Sequence, residues 1–237
     1  MPPQPLLRVQ ELSVQRRGAL ILNRLSFSLA EGELVGLVGP NGVGKTTLLE
    51  VLVGRLRPAS GELWWRGEQW PWAWELSRRA RMGVGYLPQG PSVFRQLSVW
   101  ENLRAVPTRD DTDLEAIIER VGLTARLDAR AGSLSGGERR RLELARLWAM
   151  GSTLLLCDEP FAALDPQGVE AVCAILRELS GQGRCILLTD HRVELVASLC
   201  PRLMVLLDGH IARDGKASEL RADAFLQERY FSPRDGG

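Results

Sequence analysis

One short segment constrains this chain more than any other: the sequence GPNGVGKTT at residues 39–47. An apolar run at residues 34–38 precedes it, and the apolar residues at 48–52 are typical of the first turns of a helix. A strand, a glycine-rich loop and a helix form the context in which the pattern G-x-x-x-x-G-K-[ST] binds phosphate. The glycines let successive backbone amides turn toward one point, where the positive end of the helix dipole also lies. The segment therefore predicts a nucleotide phosphate site.

Two side chains of this segment have chemistry of their own. Lys45 is placed to reach the β- and γ-phosphates, and the Thr46 hydroxyl to ligate Mg²⁺. Among 30 basic residues only Lys45 and Lys216 are lysines, and a compact ammonium suits a phosphate loop better than a planar guanidinium. The alternative, a glycine-rich turn with an incidental lysine, leaves the flanking strand and helix unexplained. The predicted nucleotide contacts in the loop are Gly39, Pro40, Asn41, Gly42, Val43, Gly44, Lys45, Thr46 and Thr47.

Composition places the chain among ordinary globular proteins. It has 237 residues, 45% hydrophobic and 25% charged, which is one large domain or two small ones. A net charge of +1 gives no argument for nucleic acid or acidic lipid as a partner. No apolar run approaches the ~20 residues of a membrane span, and the start of the sequence lacks a signal layout. We expect a cytoplasmic protein with reduced, mostly buried thiols at Cys157, Cys173, Cys185 and Cys200.

Hydrophobic patterning predicts an initial strand pair and then strands and helices in alternation. The predicted strands are residues 6–14, 20–30, 34–38, 62–65, 84–89, 154–157, 185–189, 204–207 and 210–214. The predicted helices are about 45–56, 98–104, 113–121, 136–150, 166–180 and 192–199. Polar residues follow several strands, which indicates a mostly parallel α/β sheet with its site at the carboxyl edge. Five of the seven tryptophans lie between Trp64 and Trp74, and local packing explains them better than a docking surface.

An acidic pair supplies the second half of a nucleotide site. Asp158 and Glu159 follow the apolar run at 154–157. The Asp158 carboxylate is placed to hold Mg²⁺, and Glu159 to deprotonate a water that attacks the γ-phosphate. Such a pair is weak evidence alone, but it gains weight from the phosphate loop upstream.

The sequence LSGGE at residues 134–138 opens a predicted helix. Ser135 and Glu138 fit a capping box, which is the simplest explanation of the segment. Capping does not require two glycines, however, and Gly136 and Gly137 leave backbone that a phosphate can approach at a helix N-terminus. A second anion site in one chain suggests that it serves the nucleotide of another molecule.

Six segments occur together in a fixed order: GPNGVGKTT, YLPQ, LSGGE, LLLCDEP, AALD and LLTDH. In their order and spacing the chain resembles the ATP-binding cassette (ABC) ATPases over essentially its whole length. The resemblance implies an α/β fold of the P-loop NTPase type, with a mostly parallel core sheet, an antiparallel β subdomain and a helical insert. It also implies a single nucleotide-binding domain over residues 1–237, with a helical subdomain at about residues 90–150.

The resemblance further implies a head-to-tail dimer that holds two ATP molecules between the phosphate loop of one copy and the LSGGE segment of the other. Carried over by position, Glu159 is the general base, His191 contacts the γ-phosphate and the attacking water, and Gln89 senses the metal. Asp165 is expected to bridge the subunits. The residues expected at the partner's nucleotide are Ser135, Gly136, Gly137 and Glu138, and the expected Mg²⁺ ligands are Thr46, Gln89 and Asp158. Without this resemblance His191 would be an ordinary loop histidine.

One position departs from the family pattern. ABC ATPases usually stack an aromatic residue on adenine in the early Leu-Ser-Val segment, where this chain has Arg16 or Arg17. A guanidinium plane can also stack on a base, so Arg16 is the predicted adenine contact.

Residues 82–106 resemble the ATPase of lipopolysaccharide-export transporters, as do SLSGGERRR, DEPFAALDP and TDHRVE. In that subfamily the loop after the glutamine lines the groove that receives a helix of the permease, which places Phe94 and Arg95 there beside Gln89. ATPases of branched-chain amino acid importers look similar in this region and remain an alternative. A third alternative, a soluble ABC ATPase that acts on nucleic acid or ribosomes, is disfavoured. Such proteins resemble two fused cassettes or a cassette split by a long coiled coil, and neither is present in these 237 residues.

A P-loop GTPase or kinase is disfavoured, because the chain lacks Asn-Lys-x-Asp and neither class accounts for LSGGE. We therefore expect an ATPase, with Mg²⁺, that a permease holds at the inner face of the cell membrane, and no nucleic-acid partner.

Overall fold

The computed structural model describes residues 4–108 and 111–223. Within these ranges ten strands form two sheets. The strands are β1 (Leu7–Arg16), β2 (Ala19–Leu29), β3 (Leu34–Val38), β4 (Ser60–Trp65), β5 (Glu68–Trp70), β6 (Val84–Leu87), β7 (Leu154–Asp158), β8 (Cys185–Thr189), β9 (Arg202–Leu207) and β10 (His210–Lys216).

The larger sheet has the strand order β10-β9-β3-β8-β7-β6 and the smaller one β2-β1-β4-β5. In the larger sheet the neighbours from β9 to β6 are parallel, and β10 joins β9 in antiparallel orientation. The smaller sheet is antiparallel throughout. The predicted fold class, a mostly parallel core sheet with an antiparallel β subdomain, is confirmed.

The helices are α1 (Lys45–Val53), α2 (Leu76–Arg81), α3 (Val99–Arg104), α4 (Leu114–Arg120), α5 (Gly136–Ala149), α6 (Pro166–Gly181), α7 (Val193–Leu199) and α8 (Ala217–Arg221). Three of them, α3, α4 and α5, lie between β6 and β7 and form the predicted helical insert. Three elements, β5, α2 and α8, were not predicted from the pattern. None of the helices in the described part of the chain has the length and apolarity needed to cross a bilayer.

The parallel sheet separates two hydrophobic cores. Every residue of β3, β7 and β8 is buried, as expected for strands covered on both faces. Along β7 the side chains alternate: Leu154 and Leu156 join the core beneath α1 and the antiparallel sheet. Leu155 and Cys157 join the core formed with α3 to α8. The carboxyl ends of these rigid strands are therefore fixed platforms for the loops that follow them.

The tryptophan-rich segment packs locally, as predicted. Trp65 and Trp70 are buried in the core beneath the antiparallel sheet, and their rings stack with centroids 4.7 Å apart. Trp72 donates its indole N–H to the carbonyl oxygen of Gly61 at 2.7 Å. All four cysteines are buried and unbridged, as the sequence also predicted.

Candidate nucleotide site

Residues 39–44 connect β3 to α1 and form the loop that the sequence singled out. Gly42 and Gly44 have φ of 77° and 111°, a region that side-chain-bearing residues rarely adopt. A Cβ on Gly44 would lie only 2.7 Å from Cδ2 of Leu22, so another residue here would have to displace that side chain as well as strain the backbone. Helix α1 begins directly after it, so its free N-terminal amides and its dipole face this loop. The local geometry is that of an anion site.

Lys45 brings a buried cation into the loop. It is 7% exposed, and its Nζ donates to the carbonyl oxygens of Gly39 at 2.8 Å and Pro40 at 3.0 Å. Burial lowers its pKa, an effect that the carboxylates of Glu159 and Asp158 oppose. Its charge is therefore held between the loop and the two acidic residues at the end of β7, Asp158 and Glu159.

Thr46 and Asp158 meet although 112 residues separate them. The Thr46 hydroxyl donates to Oδ1 of Asp158 at 3.1 Å, and the Thr189 hydroxyl donates to the same oxygen at 2.7 Å. Asp158 is only 2% exposed. A hydroxyl and a carboxylate held side by side are hard oxygen donors of the kind that Mg²⁺ prefers, so these residues fit the predicted metal.

Tyr86 and Thr189 support this carboxylate and were missed by sequence reasoning. The Tyr86 hydroxyl donates to Oδ2 of Asp158 at 3.4 Å, and burial together with the Asp158 charge raises the pKa of Tyr86 to about 12. Tyr86 is therefore a neutral donor at physiological pH. Thr189 pairs with Asp158 in the register of β8 with β7. Both contacts depend on the order of the strands in the sheet, which the spacing of residues along the chain does not reveal.

The three predicted catalytic residues lie together. Gln89 donates its Nε2–H to Oε2 of Glu159 at 2.7 Å, and Nδ1 of His191 lies 4.0 Å from the same oxygen. Glu159 has φ of 46°, which is uncommon outside glycine, and its N–H donates to the Thr189 carbonyl at 2.9 Å. A carboxylate in this setting can take a proton from a water, with an amide and an imidazole within reach.

A buried carboxylate stands behind the histidine. Asp190 is 0% exposed, and its Oδ1 accepts the backbone N–H of Arg192 at 2.9 Å. The same oxygen lies 3.7 Å from Nδ1 of His191, whose side chain is 54% exposed. Asp190 can therefore orient an imidazole that is otherwise open to solvent.

The LSGGE segment forms the capping box that its sequence predicts. The N–H of Glu138 donates to Oγ of Ser135 at 3.2 Å, and the N–H of Ser135 donates to Oε2 of Glu138 at 2.9 Å. This backbone hydrogen bond lowers the pKa of Glu138, and Arg126, which donates to Oε1 at 2.8 Å, acts in the same direction. Ser135 and Gly136 are exposed at the start of α5. In the described residues no hydrogen bond of this cap reaches loop 39–47.

Asp165 caps the neighbouring helix. Its Oδ1 accepts the N–H of Gly168 at 2.8 Å at the start of α6. A Cβ on Gly137 would lie 3.4 Å from Cα of Gly168, so the backbones of α5 and α6 lie close together at this point. The exposed beginnings of the two helices are thereby neighbours on one surface.

Arg16 lies beside the helix of the phosphate loop. It ends β1, its side chain is 59% exposed, and its Nη1 lies 3.9 Å from Oε2 of Glu50 on α1. Arg17 follows in the turn with φ of 52°. The guanidinium of Arg16 is therefore beside α1 and open to solvent, while its role toward adenine stays a prediction.

The segment after Gln89 presents an exposed aromatic ring. Phe94 is 47% exposed, and the guanidinium of Arg146 lies 4.7 Å from the centre of its ring. Asn102, which is 0% exposed, binds both the N–H and the carbonyl of Phe94, at 2.8 and 3.0 Å. Arg95 is exposed beside it, and its carbonyl accepts the N–H of Gly132 at 2.9 Å. A buried amide therefore fixes the loop at Phe94 and Arg95, which the resemblance predicts to face a permease.

The family model for ABC transporters matches residues 22–162, which include the phosphate loop, the LSGGE segment and the acidic pair. The chain belongs to the ABC transporter family. It is 39% identical to the lipopolysaccharide export system ATP-binding protein LptB of Acidithiobacillus ferridurans, over 95% of this chain and 96% of that protein. It is 36% identical to LptB of Escherichia coli strain K12, over 94% and 96%.

Solved structures agree on the fold. An ATP-binding cassette of an ABC transporter in its ADP conformation superposes with a TM-score of 0.86 at 23% identity, covering 97% of this chain and all of that one. The structure of cbiO1 from Clostridium perfringens, part of the ABC transporter complex cbiONQ, superposes with a TM-score of 0.83 at 25% identity, covering 96% of this chain and 94% of that one. This ABC protein is therefore an ATP-binding, ATP-hydrolysing subunit of the transporter type.

Proposed function

We propose that this ABC protein energises a transporter of the lipopolysaccharide-export kind. The observation that carries the proposal is its 39% identity to an LptB protein over nearly the full length of both chains. The exposed Phe94 and Arg95, fixed at the loop after Gln89, supply a surface on which a permease helix can dock. Through that permease the chain would be held at the inner face of the cell membrane.

The proposed hydrolytic chemistry uses the residues around Asp158. The loop amides and Lys45 would bind the β- and γ-phosphates, while Thr46 and Asp158, with Gln89, would hold Mg²⁺. When bound, the metal neutralises negative charge on the phosphates. Glu159 takes the proton of the attacking water.

Three further residues take part in the proposed chemistry. His191 contacts the γ-phosphate, Asp190 orients its imidazole, and Arg16 stacks on the base. The distances of 2.7 Å from Gln89 to Glu159 and 3.1 Å from Thr46 to Asp158 support these assignments.

We further propose that two copies act together in head-to-tail orientation. Ser135 and Gly136 are exposed at the N-terminus of a 14-residue helix, where backbone amides and the helix dipole attract anions. Asp165 begins the adjacent helix on the same surface. A second copy would bring its phosphate loop to this surface, and each nucleotide would then lie between two chains.

Partner capture tests the proposal directly. A tagged Glu159→Gln variant is purified with ATP from detergent-solubilised membranes of the source cell, and the co-purifying chains are identified. Two permeases of the lipopolysaccharide-export kind support it. Recovery of amino acid importer permeases would refute the lipopolysaccharide-export proposal and leave the ATPase chemistry intact. Recovery of ribosomes or DNA without a membrane protein would refute the transporter function altogether. The matched control is the same capture without ATP.

A further inference from the structure

Helix α5 contains a buried ion pair to which the proposed hydrolytic chemistry assigns no role. Arg140 and Glu143 are 6% and 4% exposed, and Nη1 of Arg140 lies 3.0 Å from Oε2 of Glu143. Desolvating two charges cancels much of their attraction, so well-packed apolar residues often serve stability equally well. Stability therefore gives little reason for a charged pair at this place in the helix.

The guanidinium of Arg140 binds three carbonyl oxygens from two separate parts of the site. Nη1 donates to Pro88 at 2.9 Å, and Nη2 donates to Gln89 at 3.2 Å and to Glu159 at 3.3 Å. One side chain thus joins the backbone that carries the glutamine to the backbone that carries the general base. The side chains of these two residues meet 2.7 Å apart.

Glu143 fixes this guanidinium and extends its reach. Its Oε1 accepts the N–H of Ser92 at 2.5 Å and the Ser92 hydroxyl at 3.2 Å, while Oε2 binds Arg140. One turn later Arg146 donates to the carbonyl of Ser92 at 2.6 Å and covers the ring of Phe94. Residues spaced by three share one face of a helix, so α5 holds the loop from Pro88 to Phe94 along a single stripe.

Glu159 needs such support because its φ of 46° is a conformation that the surrounding structure must impose. Its N–H is held by Thr189, and its carbonyl by Arg140. We propose that Arg140, held in place by Glu143, is a positioning residue that sets Glu159 and Gln89 for ATP hydrolysis. The proposal rests on the catalytic assignment of Glu159 made above. Because α5 begins at Gly136, the stripe also links the LSGGE end of the helix to the general base.

The first test is Arg140→Met in the full-length chain, with steady-state ATP hydrolysis and ATP binding measured separately. We expect kcat to fall about tenfold or more with ATP affinity within about twofold, because a small displacement of a catalytic group slows chemistry without removing a phosphate contact. Arg140→Lys, which keeps a cation but has no planar fork, should recover part of the rate.

The matched control is Arg141→Met, the next residue of the same helix. Arg141 also binds two backbone carbonyls, of Val121 at 2.6 Å and Gly122 at 2.9 Å, but both lie outside the site. Its kcat should stay within about twofold of wild type. Equal losses in the Arg140 and Arg141 variants would show a general effect on α5 and overturn the proposal.

A second variant guards against simple misfolding, since Arg140→Met alone leaves the Glu143 carboxylate buried without its partner. Arg140→Met combined with Glu143→Leu removes the pair and leaves no lone charge. We expect this variant to show the wild-type circular dichroism spectrum and still lose kcat about tenfold. Wild-type kcat in this folded variant would overturn the proposal.

A double-mutant comparison separates this proposal from the catalytic assignment on which it rests. If Arg140 acts through Glu159, adding Arg140→Met to Glu159→Gln lowers the residual rate by less than about twofold. A further tenfold loss would mean that Arg140 acts elsewhere and would overturn the positioning role alone. A wild-type rate in Glu159→Gln by itself would instead refute the general base.

Discussion

At the residue scale, the backbone conformation of Glu159 is the clearest sign that the fold positions this side chain. Glu159 has φ of 46°, a conformation that costs on the order of 1–3 kcal/mol at a non-glycine residue. Hydrogen bonds of its backbone to Thr189 and Arg140 hold it there. The carboxylate is in turn bound by Gln89 at 2.7 Å. A carboxylate whose backbone and side chain are both held by hydrogen bonds is well placed to accept a proton from a water.

Glu159→Gln should slow ATP hydrolysis by ~10² or more and leave ATP binding intact, because an amide keeps the shape of the side chain but cannot take a proton. Steady-state hydrolysis and equilibrium nucleotide binding measure the two effects. Glu115→Gln, an exposed glutamate on α4, is the control and should hydrolyse ATP normally. If the Glu159 variant retains the wild-type rate, the proton acceptor is another group.

Lys45→Ala should weaken ATP binding by about tenfold to a hundredfold, since a charge-assisted contact is worth roughly 1.5–3 kcal/mol. Titration with ATP measures the change in Kd. The other lysine, Lys216, has a side chain that is 77% exposed, so Lys216→Ala is a matched control with unchanged affinity. Equal affinities of the two variants would place the phosphates away from this loop.

At the scale of elements, the sequence predicts long helices with periodic apolar residues well. It predicts poorly the short helices that depend on contacts with distant parts of the chain. Helix α6 was predicted at 166–180 and spans Pro166–Gly181, because apolar spacing and its N-cap agree. Helix α2 has six residues and little apolar pattern. It is held by Arg79, which is 0% exposed and donates to the carbonyls of Val51 and Leu52 at 2.7 Å each. That support exists only after the chain has folded.

The residues of the site likewise divide into those that local sequence predicts and those that it does not. The phosphate loop, the acidic pair and the LSGGE cap could be predicted because each is a local pattern with a local physical cause. Tyr86 and Thr189 could not, because they reach Asp158 only through the order and register of β6, β7 and β8. Arg140 was also missed, since its three carbonyl partners come from residues 19 to 52 positions away. Contacts across the sheet are set by topology, which residue spacing does not encode.

The cap of α5 gives a prediction about pH. The hydrogen bond from Ser135 lowers the pKa of Glu138 in the folded chain below its ordinary value of 4.5. The ionised cap therefore contributes stability above pH 4.5 that is lost as the pH falls through the lower folded pKa. Thermal unfolding should show Glu138→Gln less stable than wild type at pH 7, with the difference shrinking in acid. Glu170→Gln, at an exposed position of α6, is the control for the loss of one glutamate charge. A constant difference at all pH values would mean that the Glu138 charge has no part in the cap.

At the scale of the whole molecule, the parallel sheet and α5 connect the site to the surface around Phe94. The sheet divides the core, and the strands place the phosphate loop and the acidic pair at one edge. From the same edge the loop after Gln89 runs outward to Phe94, with α5 bound along it through Glu143 and Arg146. A displacement of Phe94 can therefore be transmitted through Arg146, Glu143 and Arg140 to the general base, Glu159.

Phe94→Ala tests whether that surface receives the permease. Aromatic side chains, Phe among them, are enriched at the buried centres of protein interfaces. The loss of a contact of about 2 kcal/mol lowers affinity more than tenfold. We expect at least a tenfold fall in permease co-purification, with unchanged ATP hydrolysis by the isolated chain, because the ring is not among the residues that bind ATP or hydrolyse it. Leu20→Ala removes an apolar side chain that is 51% exposed on β2, and is the matched control. Loss of capture in both variants would indicate adhesion of apolar surface to membranes. If both variants still capture the permease, the permease binds another face of the protein and Phe94 has no role in coupling.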